Sequence, residues 1–397
     1  MTATTRFTEA DSSSSGGLPR RAVAAIGEQS AISLFQFSPI LAAALSGRPD
    51  GLAWTAAFTA CFGLVIAAFR GAVIHPVVRT GAVEQRYPAS SFVVVCASCA
   101  AALTAIGLTG AFSTEGTLIV LGVSTPIIGF VEMSRIVPAG DRDRLMTVGT
   151  AVTLAAVVTL FPLYARVEAT PVRVTVVWSA CWLLLMVRFA VRSERVGLTL
   201  RRPVDRAAAA GLTLNNLIGQ VAAQGPILVI AAILGPGPLS ALQAARVPFR
   251  PVAVLAAALP VHYLPYLVET RHRPGRWARS ARMLLVVALA ATAGLLAPAL
   301  FLLPALPTFA ATGAAVTVVS ALVGTTAIAE AAMGVIAVAA GRERAAIAAR
   351  LVGLAVALVV IAGLAAAGRL SPLAAAASLG VGPSVTAVLV RREVPWG

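Results

Sequence analysis

The chain has few charged residues and no lysine at all. Charged side chains make up 12% of its 397 residues, where a soluble domain has about 25%. All 31 basic residues are arginine, so the chain lacks the lysine of a P-loop, and it has neither a nucleophile elbow nor a His-x-x-x-His zinc helix. The histidines His75, His262 and His272 do not have metal-ligand spacing. We therefore predict that the protein is not an enzyme and holds no cofactor.

Cysteine is also scarce. The four cysteines, Cys61, Cys96, Cys99 and Cys181, all lie within apolar runs. Cys96 and Cys99 have the spacing of a metal-binding pair, but no second pair and no nearby histidine completes a site. These positions favour small packing residues within helices, and we expect no disulfide framework.

Long apolar runs, in contrast, are abundant. Hydrophobic residues make up 58% of the chain, and its mean hydropathy is +0.89. A helix needs about 20 apolar residues to cross a hydrocarbon core of ~30 Å. This length predicts an all-α polytopic membrane protein with twelve transmembrane helices. The predicted spans are 28–47, 52–75, 89–112, 116–137, 145–165, 171–191, 208–234, 239–267, 282–303, 309–340, 345–367 and 372–390.

The net charge of +15 predicts topology rather than nucleic-acid binding, because the arginines sit mostly in short loops between apolar spans. Arginine is enriched in cytoplasmic loops of membrane proteins. One side of the predicted bundle carries most of the loop arginines, and the other side has only Arg48, Arg166, Arg173 and Arg369. We therefore predict a multi-pass protein of the cell membrane with both termini in the cytoplasm.

An internal repeat divides the chain into two halves. Ser38-Pro39-Ile40-Leu41 in span 1 recurs as Gly225-Pro226-Ile227-Leu228 in span 7, and the same offset of 187 residues places Phe62 on Phe249. Repeats of this kind are typical of transporters. They predict a disordered cytoplasmic tail (1–25), an N-terminal six-helix half (26–192), a cytoplasmic linker (193–207) and a C-terminal six-helix half (208–397).

Two six-span halves, the Phe69-Arg70-Gly71 step that closes span 2, and a pattern in spans 7–8 together resemble a known family. The pattern runs Leu234-Gly235-Pro236, then Ala245-Arg246, Pro248, Pro251 and Leu264-Pro265. The chain resembles the multidrug/oligosaccharidyl-lipid/polysaccharide (MOP) exporter superfamily, and within it the polysaccharide flippases of the O-antigen type. The resemblance implies translocation of a lipid-linked oligosaccharide or polysaccharide precursor by alternating access.

Arg246 and Arg250 are the main candidates for substrate binding. An arginine deep in hydrocarbon costs at least ~2.5–3.5 kcal/mol, so it normally faces a protein interior or a watery cavity. Residues four apart share a helix face, and Pro248 and Pro251 should break the local hydrogen-bond ladder beside Arg250. A guanidinium grips phosphate with paired hydrogen bonds. The functional interpretation is a site for the diphosphate of a lipid-linked sugar, and the alternative is a pair that only joins neighbouring helices.

Four further polar residues in apolar spans are candidates. Arg70 is either a second phosphate contact or an arginine that snorkels to the inner interface. Glu330, placed near the midplane by the helical rise, is either an ion-coupling carboxylate or a structural one paired with arginine. Gln220 and Gln224 share a face of span 7 and either bind sugar hydroxyls or join helices.

Glu132 and Arg135 are three residues apart near the inner end of span 4. Residues at this spacing are neighbours on a helix surface. We expect them to form a structural ion pair.

The function that these observations favour is a flippase for a polyprenyl-diphosphate-linked glycan. Its other expected partners are the lipid bilayer and glycan-assembly proteins, with no nucleic acid. One alternative is a drug/cation antiporter of the same fold, although a cationic substrate favours acidic residues over arginines. The other is a non-transporting membrane scaffold of a polysaccharide synthesis complex.

Overall fold

The computed structural model describes most of the chain. The described residues are 17–45, 52–79, 86–108, 116–135, 141–164, 170–192, 197–199, 206–250, 252, 267, 274–302 and 312–393. They are almost entirely helical, as a chain that satisfies its backbone hydrogen bonds inside a bilayer must be.

Six helical stretches form the amino-terminal bundle. They are α1 (Gly17–Leu45); α2 (Trp54–Phe69), which continues through a π-helical turn (Arg70–Ile74) into α3 (His75–Arg79); α4 (Ala89–Leu108); α5 (Thr117–Ser134); α6 (Asp141–Tyr164); and α7 (Pro171–Arg192). Residues 17–25, expected to be disordered, are the start of α1. Helix-favouring Leu18 and Ala22 to Ala25, with Pro19 in the first turn, explain this difference.

The carboxy-terminal bundle has the same number of stretches. They are α8 (Arg206–Leu234), α9 (Pro236–Arg246) with a 3₁₀ turn (Val247–Phe249), α10 (Pro274–Leu302), α11 (Ala314–Ala339), α12 (Glu343–Ala366) and α13 (Pro372–Glu393). The 3₁₀ turn confirms that the regular hydrogen-bond ladder breaks beside Pro248. Apart from Val252 and Leu267, the rest of predicted span 8 lies outside the described residues.

The helices are those of a polytopic membrane protein. Nine helices within the described part of the chain are long and apolar enough to cross a bilayer. Large apolar side chains also stand exposed on the outside of the bundles, among them Val93, Leu108, Val123 and Leu145. Such a surface suits contact with lipid, because lipid tails are as apolar as the side chains themselves.

The two bundles are built by the same helix pairing. Counted by helical stretch, the first packs on the fifth in both bundles (α1 on α6, α8 on α12). The third stretch packs on the fourth (α4 on α5, α10 on α11). The sixth helix packs on the fourth and the fifth in both bundles as well. This repeated pairing confirms the prediction of two pseudo-symmetric six-helix bundles.

The bundles meet chiefly along α2 and α8. Near the start of α2, the Leu52 backbone N–H donates to Ser240 Oγ of α9 (3.2 Å). At the π-helical turn, Gly71 lies against the α8 backbone, where a Cβ would come within 3.0 Å of Thr213 N and 3.1 Å of Leu212 O. Only a residue without a side chain permits this approach. The space between these two contacts is where the candidate site lies.

An aromatic cluster fills the core of the amino-terminal bundle. Trp178 and Trp182 of α7 are fully buried against Phe35, Phe58 and Phe62. Trp178 Nε1 donates to the Phe35 carbonyl (3.2 Å). The residue four positions after Phe35 is a proline and has no N–H, so this carbonyl is free to accept from a side chain.

A short parallel sheet ties the linker to the amino-terminal bundle. Strand β1 (Arg86–Pro88) pairs with β2 (Gly197–Thr199), with Arg86 opposite Gly197. Strand β1 lies in the connection between α3 and α4, and β2 lies in the segment that links the bundles. Their pairing therefore joins these two segments. Tyr87 is fully buried, and its hydroxyl donates to the Met133 carbonyl (3.4 Å).

Candidate functional site

A cavity of about 250 Å³ lies between the two bundles. One wall is α2 and the turn that follows it, and the other is formed by α8, α11 and α12. Its lining comprises Ile66, Ala67, Arg70, His75, Leu212, Asn215, Asn216, Gly219, Gln220, Ala223, Gln224, Ala327, Glu330, Ala331, Gly334, Val335, Val338 and Arg350. The polar members lie within otherwise apolar helices, which is where membrane proteins place functional groups.

Four of the six predicted site residues line this cavity. They are Arg70 from the amino-terminal bundle and Gln220, Gln224 and Glu330 from the carboxy-terminal bundle. The two glutamines lie one turn apart on α8 and are half-buried, and their amides form no hydrogen bond with a described residue. The structure therefore brings together residues that stand up to 260 positions apart in the sequence.

Arg350 is the cavity residue that the sequence did not single out. It lies on α12, where Nε donates to Glu330 Oε1 (3.3 Å), and Nη1 donates to the backbone carbonyl (3.1 Å) and to Oδ1 (2.7 Å) of Asn215. The guanidinium thus joins α8, α11 and α12. Arg350 lies inside an apolar span, and that position was the signal that marks it as more than a loop charge.

Two glycines make room for the Arg350 guanidinium. A Cβ on Gly219 of α8 would come within 3.2 Å of Cζ and Nη1, and a Cβ on Gly334 of α11 would come within 2.5 Å of Nη2. We call this pair the glycine notch. A larger residue at Gly334 would displace the guanidinium, and one at Gly219 would require it to shift by a few tenths of an ångström.

On the opposite wall, Arg70 belongs to a second ionic cluster. Glu132 of α5 accepts from Arg70 Nε (3.3 Å) and Nη2 (3.1 Å), from Gln36 Nε2 (3.2 Å), and from Arg135. Arg135 in turn donates to Gln29 of α1. The predicted Glu132–Arg135 ion pair is therefore confirmed, and Arg70 reaches the cavity from a buried network that joins α1, α2 and α5.

His75 and Asn216 close one end of the cavity across the bundle boundary. Asn216 Nδ2 lies 3.2 Å from His75 Nδ1 and donates to the Leu212 carbonyl (2.8 Å). His75 Nε2 is buried without a hydrogen-bond partner among the described residues. The imidazole therefore keeps one ring nitrogen available to whatever enters.

Arg246 and Arg250 lie outside this cavity lining. Arg250 is at the end of the 3₁₀ turn, with Cζ 5.1 Å from the centroid of the Phe37 ring of α1 and Nη2 donating to Gln243 Oε1 (3.4 Å). Arg246 Nη1 and Arg250 Nε are buried without a hydrogen-bond partner in the described part of the chain. The pair forms a separate cationic position at the boundary with α1.

The formal charges of the cavity and of its supporting cluster sum to a positive value. Arg70, Arg135 and Arg350 contribute three positive charges, and Glu132 and Glu330 contribute two negative ones, which leaves one positive charge in excess. Each of these two carboxylates already contacts a guanidinium. The arrangement is suited to a polar ligand with a negative charge and poorly suited to a cation.

No family model matches the chain, and no curated protein matches it. Solved structures do. A eukaryotic MATE transporter, AtDTX14, is 14% identical with a TM-score of 0.61, over 96% of this chain and 97% of that one. A MOP superfamily transporter from Pyrococcus furiosus, reported with a binding pocket of reversed polarity, is 14% identical with a TM-score of 0.61, over 94% and 93%. An inward-facing multidrug resistance MATE family transporter is 13% identical with a TM-score of 0.54, over 92% and 94%.

Proposed function

We propose that this chain, which has the fold of the MOP superfamily transporters, is a membrane exporter that translocates a lipid-linked oligosaccharide or polysaccharide precursor by alternating access. One observation carries the proposal. The cavity between the bundles is lined by the carboxylate of Glu330, which is paired with Arg350. The amides of Gln220 and Gln224 in the same lining form no hydrogen bond with a described residue. Amides and guanidiniums are the groups that hold sugar hydroxyls and acidic substituents.

The location of the cavity supports transport rather than a purely structural role. It lies between two bundles with repeated architecture, where transporters of repeated construction place their substrates. The walls belong to different bundles, α2 on one side and α8, α11 and α12 on the other. Rocking of one bundle against the other would therefore change access to the cavity itself.

Arg246 and Arg250 supply the second element of the proposal. Their unpartnered nitrogens are buried beside Phe37, and burying a guanidinium without an acceptor is costly. A diphosphate would supply the missing acceptors and match the guanidinium geometry. In this proposal the two arginines hold the diphosphate of the polyprenyl carrier, while the glycan head group occupies the cavity, with Arg70 as a helper.

The same observations weigh against a drug/cation antiporter. A cationic substrate needs a carboxylate that is free to receive it, and Glu330 already lies 3.3 Å from the Arg350 Nε. We also propose an ion-coupling role for Glu330 within the exporter, in which its pair with Arg350, which joins α11 to α12, would break and re-form during transport.

The test uses the full chain in liposomes that contain an NBD-labelled polyprenyl-diphosphate oligosaccharide. Transport moves label between leaflets and changes the fraction that dithionite can reduce from outside. We expect the double substitution of Arg246→Gln and Arg250→Gln to slow this exchange at least about tenfold, as expected when two charge-assisted contacts are lost. Substitution of the exposed Arg391 and Arg392 by Gln removes the same charge and should leave the rate within about twofold.

The rival functions give different outcomes in the same liposomes. Efflux of ethidium without exchange of the labelled lipid would establish the cation antiporter instead. A folded protein that moves neither compound would support the scaffold. Equal rates for the double variant and its control would show that Arg246 and Arg250 do not hold the carrier diphosphate.

A further inference from the structure

The cavity presents a specific set of open polar groups. The amides of Gln220 and Gln224 form no hydrogen bond with a described residue, and His75 Nε2 is buried without a partner there. Arg350 uses Nε on Glu330 and Nη1 on Asn215, and its Nη2 donates to none of the described residues. An unused guanidinium N–H beside free amides is a ready anchor for a ligand that has both hydroxyls and a negative charge.

The cavity volume suits one sugar ring. About 250 Å³ lies just below the ~300–1,000 Å³ of pockets that enclose a drug-sized molecule. A single sugar ring fits in this space, and the other sugars of the glycan head group would extend beyond it. The positive excess among the described residues of the cavity and its supporting cluster and the unused Nη2 of Arg350 favour an acidic group on that ring.

We propose that the cavity binds one monoanionic sugar residue of the exported glycan, a uronic acid, with Arg350 as a substrate-binding residue and Gly219 and Gly334 as its positioning residues. The inference rests on the proposed function and names the chemistry that the cavity selects. The sugar carboxylate accepts from Arg350 Nη2. The ring hydroxyls meet the amides of Gln220 and Gln224.

The glycine notch is the structural reason for naming Gly219 and Gly334. A methyl group at Gly334 would lie 2.5 Å from Nη2, the nitrogen that the proposal assigns to the substrate. The atom nearest to this methyl group would be the end of the flexible Arg350 side chain. The helices can therefore keep their packing while the guanidinium moves. Alanine also has a higher helix propensity than glycine. The substitution should therefore alter binding and spare stability.

The test measures binding of small probes to the purified full-length protein in detergent, from the rise in melting temperature with ligand concentration. The probes are methyl β-glucuronide, methyl β-glucoside, glucose 1-phosphate and inorganic phosphate. We expect the glucuronide to bind most tightly. The phosphate monoester carries about −1.5 to −2 charges at neutral pH, more than the single excess positive charge neutralises.

Substitutions at Arg350 and at the glycine notch test whether the probes bind in the cavity. Arg350→Gln should weaken glucuronide binding roughly tenfold or more, the usual effect of losing a charged hydrogen bond, and leave the weaker glucoside binding within about twofold. Gly334→Ala and Gly219→Ala should weaken glucuronide binding several-fold. The matched controls are Gly211→Ala on α8, where nothing lies within 4 Å, and Gly324→Ala on α11, where the contacts are an ordinary 3.8 and 3.9 Å.

A double-mutant cycle separates positioning from a general structural effect. Lysine has no Nη2, so Gly334→Ala in an Arg350→Lys background should produce little further loss, and the two effects should be non-additive. A loss as large in that background as in the wild type would show that Gly334 acts on the fold. This readout also serves if Arg350→Gln fails to fold.

Two results would overturn the inference. One is equal affinity for glucuronide and glucoside, and the other is tighter binding of either phosphate probe. These failures are distinct from failure of the proposed function, because exchange of the labelled lipid is measured separately. Lipid exchange with no uronate preference would leave the exporter standing and remove this substrate assignment.

Discussion

Glu132 offers the sharpest test of how the amino-terminal bundle is held together. Its two carboxylate oxygens accept from Arg70, Arg135 and Gln36, and its side chain is 2% exposed. Glu132→Gln keeps the shape and removes the negative charge. It also places an amide N–H where guanidinium N–H groups now donate. The two buried guanidiniums of Arg70 and Arg135 would then lose the carboxylate that they share.

The expected cost follows from burial. Removing one partner of a buried ion pair typically destabilises by ~3–5 kcal/mol, since the remaining charge stays buried. The chain provides a matched control in Asp143, whose side chain is 48% exposed and lies 3.3 Å from Arg188. Exposed pairs contribute about 0.2–1 kcal/mol, so Asp143→Asn should be nearly neutral.

Unfolding can be followed by tryptophan fluorescence, because Trp178 and Trp182 lie fully buried in the same bundle. We expect Glu132→Gln to lose several-fold more unfolding free energy than Asp143→Asn. Adding Arg70→Gln to the Glu132→Gln protein should restore part of the loss, because one of the two positive charges that shared Glu132 disappears. Equal losses for Glu132→Gln and Asp143→Asn would refute the claim that this cluster stabilises the bundle.

Two further substitutions test packing and hydrogen bonding. Gly71→Ala should destabilise the protein by ~1–3 kcal/mol or separate α2 from α8, because the added Cβ would meet Thr213 backbone atoms that cannot move aside. Gly211→Ala on the facing helix is the control. Equal melting temperatures for the two variants would contradict the contact. Trp178→Phe should cost about 1 kcal/mol by deleting one of the two side-chain donors to the Phe35 carbonyl, which keeps the Ser38 hydroxyl (2.7 Å). Trp182→Phe should lack that penalty, since Trp182 Nε1 is buried without a partner among the described residues. Thermal unfolding of the two variants measures the difference. A larger loss of stability for Trp182→Phe than for Trp178→Phe would count against this account.

The membrane helices were predictable because lipid imposes a simple rule on the backbone. Predicted span 4 at 116–137 corresponds to Thr117–Ser134, and predicted span 11 at 345–367 corresponds to Glu343–Ala366. A chain in hydrocarbon must satisfy its peptide groups within each helix, so hydropathy alone locates such helices. The same reasoning places polar residues of apolar spans inside the protein, and it gathered Arg70 and Glu330 around one cavity.

Arg350 also lies within a predicted span, but its place beside Glu330 was harder to predict. It lies fewer than two turns after Glu343, the first residue of its helix. Arginine near the end of a membrane helix usually reflects the orientation of the helix in the membrane. Its significance depends on Glu330 and Asn215, and their distance from Arg350 is set by helix packing rather than by sequence spacing. The glycine notch was invisible for the same reason, because Gly219 and Gly334 come from different helices.

Arg246 and Arg250 show the limit of helical spacing rules. Residues four apart share a face where a helix has 3.6 residues per turn. Between Arg246 and Arg250 lies a 3₁₀ turn with about three residues per turn, so helical spacing alone does not fix how the two side chains lie. The π-helical turn at Arg70–Ile74 is a comparable departure. It precedes Pro76, whose ring removes the N–H that would bond the Ala72 carbonyl.

The pairing of β1 with β2 sets a mechanical limit on the molecule. Because Gly197–Thr199 is fastened to the α3–α4 connection, the covalent tether between the bundles begins at Thr199 and reaches α8 at Arg206. A fully extended chain spans at most ~3.3–3.6 Å per residue, so these two points can never be more than about 25 Å apart. Any relative motion of the two bundles therefore keeps Thr199 and Arg206 within this distance of each other.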